Sequence, residues 1–386
     1  MVERMGNVIG DEHLQENLRI SQLEAIPIRA ALTREYHGSH YGMTNRATII
    51  TRVVTEDGIV GECYAGDEDD GLESIASIIR DEIAPALVGL DAFATEKCWA
   101  ASYPATYNIL RDRRHGLVAM ACVDTAIWDA VGKALGQPLW RLWGGYRQSL
   151  PMIVIGGYYG QSHTELAEEI HQYRELGLAG IKFKVGGLSP GEDAGRVLAA
   201  YEAAGDDFIF AIDANQGYSA SQALDLCRRL EGLDIRWFEE PVGWQDDRNG
   251  MRDVRMKSGI PVCAGQSEYS PAGCRMLMET GSIDVCNFDA SWSGGPTVWR
   301  RTAAIAHSFE LEMGHHEEPH VSAHLLASQP HGTYTECFSA DRDPFWWNLI
   351  TNRPELRDGE LQLPDVPGLG WEYDWDYIDA HRVEKS

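Results

Sequence analysis

Residues 180–187 read GIKFKVGG, residues 208–215 read FIFAIDAN and residues 237–241 read WFEEP. Each is a short apolar run that ends in charged groups. The arrangement returns downstream, where Gln266, Asp289, His316 and Glu336 stand at or just past similar runs, about 20 to 27 residues apart from Asp213 onward. One strand plus one returning helix occupies that length, and in a parallel barrel the repeat delivers every strand end to the same face. Strands are expected near 150–156, 179–185, 208–213, 235–239, 261–265, 283–288, 310–315 and 332–337. Helical periods such as TELAEEIHQYRELG (164–177), SASQALDLCRRLEG (219–232) and TVWRRTAAIAHSF (297–309) lie between them. The fold class is α/β, a (β/α)-barrel.

Upstream the period differs. ISQLEAIPIRAAL (20–32) and ATIITRVVTEDGIVGECYAG (47–66) alternate apolar and polar residues around a DG turn, which predicts a small antiparallel sheet. From about 72 to 143 the period is helical, clearest in VAMACVDTAIWDAVGKALG (118–136), which stops at Gly136 and Pro138. An α+β capping domain is therefore expected over residues 1–145 and the barrel over 146–340. The Trp-, Pro- and Asp-rich tail, 340–386, is expected to pack back on the barrel rim or the cap.

The chain has 386 residues, too many for one compact domain but suited to a barrel of about 250 with a smaller partner. Its polar first residues, MVERMGNVIGDEHLQEN, show no signal-peptide core, and no apolar run nears the roughly 20 residues needed to span a bilayer. A cytoplasmic location is expected. The eight cysteines lack zinc-ligand or CxxC spacing and read as small buried apolar residues in a reducing compartment. A net charge of −26 argues against nucleic acid and anionic membrane as partners. It does not exclude a small anionic substrate, because a metal ion and two lysines can reverse the potential inside one pocket.

Lys182 and Lys184 alternate with Ile181, Phe183 and Val185, so both ammonium groups leave one face of the strand. Like charge and partial burial favour the neutral amine, which makes a lysine a usable base. The competing reading is an edge strand with two solvated lysines. Asp213 and Asn215 share the next strand end, and Glu239 ends the strand after it. Two carboxylates ending neighbouring strands repel unless a cation separates them, and hard oxygen ligands suit Mg2+. Alone, each would read as a turn or helix cap.

Together, KFK, DAN and EEP at barrel spacing, with ACVDTAIWDAVGKALGQPLWRLWGG (121–145) before them, resemble the enolase superfamily and within it the mandelate racemase group, over essentially the whole chain. The resemblance implies a modified TIM barrel under a cap, Mg2+ as cofactor and Lys184 as base on one face of the substrate, with Lys182 holding its carboxylate. It further implies Asp289 and His316 as a dyad on the opposite face and Glu336 as the acid ending the last strand. Asp213 and Glu239 would be metal ligands. The third ligand position departs from the group's carboxylate, since AGQSE (264–268) puts Gln266 there, with Glu268 in reserve.

His316 to His320 also match HExxH, a zinc-protease signature that needs both histidines on one helix; Pro319 opposes that helix. The cap segment offers Arg34, Tyr36, His37, His40 and Tyr41, and the first barrel strand ends in Tyr158 and Tyr159. With Asn215 and His315 these groups suit a polyhydroxylated substrate, and a second substrate carboxylate would pair with Arg34. The reaction expected is dehydration of a small anionic sugar acid, an aldonate or aldarate, to a 2-keto acid, by a homo-oligomeric enzyme. Racemisation or epimerisation by the same Lys/His pair is the alternative, and a catalytically silent ligand-binding barrel the third reading.

Overall fold

The computed structural model describes residues 17–66 and 69–383. The polar segment 1–16, where no leader is expected, lies outside them. Three strands, β1 (Ile20–His37), β2 (Gly42–Thr55) and β3 (Val60–Ala65), form an antiparallel sheet in that order. Helix Arg113–Ala134 packs across it. Sixteen of that helix's 22 residues are buried, more than one apolar face would account for, because the sheet covers one side and barrel helix Pro296–Ser308 the other. Asp124 joins the two helices, accepting from the Thr297 backbone N–H and from its hydroxyl, both at 2.8 Å. On the sheet side, a β-carbon at Gly61 would stand 2.0 Å from the Ala126 carbonyl oxygen, so glycine permits the contact.

The barrel has eight parallel strands lying side by side in chain order: β4 (Ser149–Gly156), β5 (Gly180–Lys184), β6 (Ile209–Asp213), β7 (Phe238–Glu239), β8 (Val262–Ala264), β9 (Val285–Cys286), β10 (Glu312–Met313) and β11 (Thr335–Phe338). β11 returns to pair with β4, and a bridge between Met313 and Gly332 joins β10 to the chain entering β11. Every expected strand is present. Four have only two or three residues, shorter than the apolar runs that announce them. Helices cover the outside, so β4 to β6 are buried on both faces and read as continuous apolar sequence rather than as an alternation.

Local signals start those helices. The hydroxyls of Ser162, Ser189 and Ser219 each accept from the N–H of the third residue on, and the serine N–H donates in return to the side chain of that residue, Glu165, Glu192 or Gln222. The tail touches both parts of the molecule: β12 (Glu360–Gln362) runs antiparallel to the start of β4, and Arg382 bridges Ile28 in β1. All eight cysteines are free and buried. No helix among the described residues is long and apolar enough to cross a membrane.

Candidate active site

Strand register assembles the polar groups. Lys184 pairs with Asp213 across β5 and β6, and Asp213 with Glu239 across β6 and β7, so three charged strand ends lie abreast. Gln266 follows β8, Asp289 follows β9, His316 follows β10, and Glu336 lies within β11. The side chains are buried and tightly linked. Lys182 donates to Glu239 and Glu336, 2.8 Å to each, and Lys184 donates to Asp213 (2.7 Å) and to Asn215 Oδ1 (2.8 Å).

These pairs reverse the expectation of a neutral amine. Burial alone would lower both lysines, but Glu239, Glu336 and Asp213 outweigh it at Lys182, as Asp213 does at Lys184, and both stay above the ordinary lysine range. Asp213 and Glu239 are read from the sequence as neighbouring strand ends; what the sequence does not show is that they and Glu336 bond the two lysines. Burial pushes Glu239 up to about 8, with Asp213 and Glu336 adding to the rise against Lys182. Glu336 only accepts, from Lys182 and from the Glu317 backbone N–H at 3.1 Å, so the hydrogen-bond donor expected there is not seen in this arrangement.

The donor set suits a hard divalent cation. No three His, Cys, Asp or Glu side chains converge on one point among the described residues, and the third candidate is an amide. Gln266 is 3% exposed, and its Oε1 is buried without a hydrogen-bond partner beside a cavity. A buried idle carbonyl oxygen and two adjacent carboxylates are together a set of oxygen ligands. Glu268, the reserve ligand, is turned away and paired with Arg248 at 2.6 Å. Strand alternation fails to place it because β8 has already ended at Ala264.

Past the ends of β9 and β10, His316 Nδ1 lies 3.0 Å from Asp289 Oδ2, while the other Asp289 oxygen accepts from the N–H (2.7 Å) and hydroxyl (2.6 Å) of Ser291. His316 Nε2 stands 3.2 Å from Glu317, and Trp292 packs on the imidazole, ring centroids 4.7 Å apart. Burial would lower His316, but Glu317 and Asp289 hold it well above the ordinary histidine range. Lys184, Asn215, Gln266, His316 and Tyr41 line one cavity of about 400 Å³. Five non-glycine residues of its loops, Asn215, Gln216, Glu240, Glu317 and Glu318, hold positive φ between 36° and 64°. Such strain gathers where side chains must be aimed.

Other expected contacts fall elsewhere. His315 uses both ring nitrogens on backbone, near Ala290 N (3.0 Å) and His316 O (2.7 Å), and so serves the loop. The Tyr159 hydroxyl is held by Asp193 and the Gly187 N–H, on the barrel's outer helix. Arg34 is half-exposed beside Asp341 at 3.8 Å, and the Tyr36 hydroxyl donates to the same acid. His37 and His40 are exposed. His320 stacks on Tyr64 of the cap at 3.5 Å, on a helix that begins only at Pro319, so it shares no helical face with His316 and the HExxH reading falls. Glu317, read from the sequence as a neighbour that lines the pocket or supports the dyad, does line the cavity, as do Glu240, Trp292, Arg114 and Arg342, which the sequence did not mark. Glu240 was visible in EEP but read as a loop start, and Arg342 lies in a segment with no period to flag it.

Comparison with known proteins places this geometry. The mandelate racemase / muconate lactonizing enzyme N-terminal domain matches residues 26–144, and the enolase C-terminal domain-like family matches residues 165–377. A mandelate racemase/muconate lactonizing enzyme from a marine actinobacterium, solved in complex with magnesium, is 62% identical with TM-score 0.90, over 95% of this chain and 100% of that one. The 3,6-anhydro-alpha-L-galactonate cycloisomerase of Streptomyces coelicolor is 29% identical over 94% of this chain and 98% of its own length. Arabinonate dehydratase of Saccharolobus solfataricus is 30% identical over 84% and 87%, and the N-succinyl-L-Arg/Lys racemase of Bacillus cereus 27% over 95% and 98%.

Proposed function

The chain belongs to the mandelate racemase / muconate lactonizing enzyme family, and from that premise we propose that it dehydrates a polyhydroxylated sugar acid to a 2-keto acid. The observation that carries the reading is the pairing of a lysine and a dyad histidine, Lys184 and His316, on the wall of one cavity. Abstraction of a proton next to a carboxylate needs a base on one side, and loss of the neighbouring hydroxyl needs an acid.

Mg2+ held by Asp213, Glu239 and the Gln266 carbonyl would supply positive charge to the substrate carboxylate as the proton leaves. Lys182, pinned between Glu239 and Glu336, adds a fixed ammonium at the same end. Lys184 becomes a base once the charge of Asp213 is engaged elsewhere, since that acid is what keeps it protonated. His316 carries its proton at neutral pH because of Glu317 and Asp289, and a protonated imidazole is the form that helps a hydroxyl depart. Asp289 fixes the ring so that Nε2 is the reactive nitrogen. Trp292, packed on the His316 ring, holds the imidazole in place.

Racemisation by the same pair is the second reading, since Lys184 and His316 both line the cavity and each can hold or move a proton there. Incubating the Mg2+-loaded protein with a library of acid sugars in D2O separates the two. A 2-keto acid with deuterium at the former hydroxyl-bearing carbon supports dehydration. Exchange at the α-carbon without keto product would replace it by racemisation, and neither outcome with any acid would sink both.

A further inference from the structure

On the wall of the cavity that Lys184, Gln266 and His316 line, an arginine waits without an anion. Arg342 follows β11 by four residues, is 2% exposed, and has no hydrogen-bond partner at Nε or Nη1. Its Nη2 lies 2.9 Å from the Met43 thioether, and its guanidinium 4.2 Å from the Phe338 ring centroid. Neither is an anionic partner. Among the described residues no carboxylate forms an ion pair with it, because Glu317, the acid whose charge it feels, is engaged by His316 (3.2 Å) and Arg46 (4.0 Å).

A buried guanidinium with idle donors is costly to keep, and such groups in native proteins call for an explanation. Beside it the Tyr158 hydroxyl is buried and likewise unpartnered. Tyr41 and Met43 close the same corner from the cap. A thioether is a weak acceptor, so Nη2 can leave it. Either edge of the guanidinium then presents two parallel N–H groups, the fork that matches a carboxylate.

We propose that Arg342 receives a second carboxylate at the far end of the substrate, so that the site takes aldarate dianions in preference to aldonates. The proposal rests on the dehydratase reading for its chemistry and names the substrate class within it. Arg34, the residue expected from sequence to meet that carboxylate, already faces Asp341 at the half-exposed surface.

The test uses matched pairs of hexarates and hexonates that differ only in the far carbon, galactarate against galactonate first, with the Mg2+-loaded full chain. Wild type is expected to favour the diacid by about a hundredfold in kcat/KM, the loss typical when one partner of a buried charge pair is missing. Arg342→Met should reduce the ratio of diacid to monoacid kcat/KM from about a hundred to about one, and Arg342→Lys should keep part of the preference. Equal rates on both members in wild type, or an equal fall on both in Arg342→Met, would overturn the proposal. If Arg342→Met fails to fold, wild type and Arg342→Lys decide. If no pair is turned over, the dehydratase reading fails by itself, and calorimetric titration of galactarate and galactonate into wild type still reports whether the diacid binds more tightly.

Discussion

Gln266 Nε2 lies 2.9 Å from Glu240 Oε2, and since a carboxylate only accepts, the Gln266 amide oxygen must be the atom left at the cavity wall. Gln216 donates to the same Glu240 oxygen at 3.3 Å. The negative charge missing from the ligand position therefore sits one residue further out, on a carboxylate that orients the amide.

Replacing Gln266 with Glu should for that reason fail to tighten Mg2+ binding. Two carboxylates would meet at hydrogen-bond distance, and the fold should lose about 1 to 3 kcal/mol. The double change Gln266→Glu with Glu240→Gln restores the donor–acceptor match and is expected to bind Mg2+ more tightly than wild type. Calorimetric titration with MgCl2 reads both, and tighter binding by the single variant would disprove the arrangement.

His316→Asn keeps a polar group of similar reach but supplies no acid. Keto-acid formation should fall by about a thousandfold, within the range for a lost general acid or base. Exchange of the α-proton with D2O, followed by NMR, is expected to continue through Lys184 for one stereoisomer. Dehydration at near wild-type rate would remove His316 from the mechanism.

Glu317→Gln should move the alkaline limb of the kcat profile to lower pH. Glu317 is the largest influence holding His316 above its ordinary range, so its removal lets the imidazolium lose its proton earlier. The acid form required for hydroxyl departure is then exhausted at lower pH. An unmoved alkaline limb would separate Glu317 from the chemistry.

His324 makes stability fall with acid. It is fully buried, its Nδ1 accepts from the Trp140 N–H at 3.2 Å, and burial lowers it to about 3. The unfolded chain, with histidine near 6.5, therefore binds one more proton between those values, and stability is complete above pH 6.5 and declines as pH falls towards 3. This residue should contribute a slope of about 1.4 kcal/mol per pH unit. Urea unfolding of wild type and His324→Gln from pH 4 to 7 checks it, since the variant should show a shallower decline.

Arg46 reaches from β2 into the barrel loops, 3.4 Å from Glu318, 3.4 Å from Asp343 and 4.0 Å from Glu317. Arg46→Met leaves three buried acids short of their shared cation and should cost about 3 to 5 kcal/mol. Arg46→Lys should recover little, because a point charge cannot serve three directions. Guanidinium unfolding measures both, and a loss below about 1 kcal/mol would show that the cluster is already balanced without Arg46.

The barrel was legible because each βα unit repeats at nearly constant length, and that spacing alone groups Lys184, Asp213, Glu239 and His316 at one end. What lay beyond it obeyed no period. Glu268 was assigned by alternation past the point where its strand stops, and Tyr159 and His315 by their chemistry, although Asp193 holds the Tyr159 hydroxyl and the backbone claims both His315 nitrogens. Arg342 and Glu317 reach the cavity from irregular loops, where only three-dimensional closure reveals a neighbour.

The path of the last residues constrains how the cavity is reached. Residues 360–362 are hydrogen-bonded to β4, while His381 and Val383 bond to Arg29 and Pro27 of β1, so the stretch between them is a tether sewn to both units. Swivelling the cap away from the barrel would have to tear one of those seams. The turn at 38–41, which brings Tyr41 to the cavity wall at 37% exposure, takes part in neither seam.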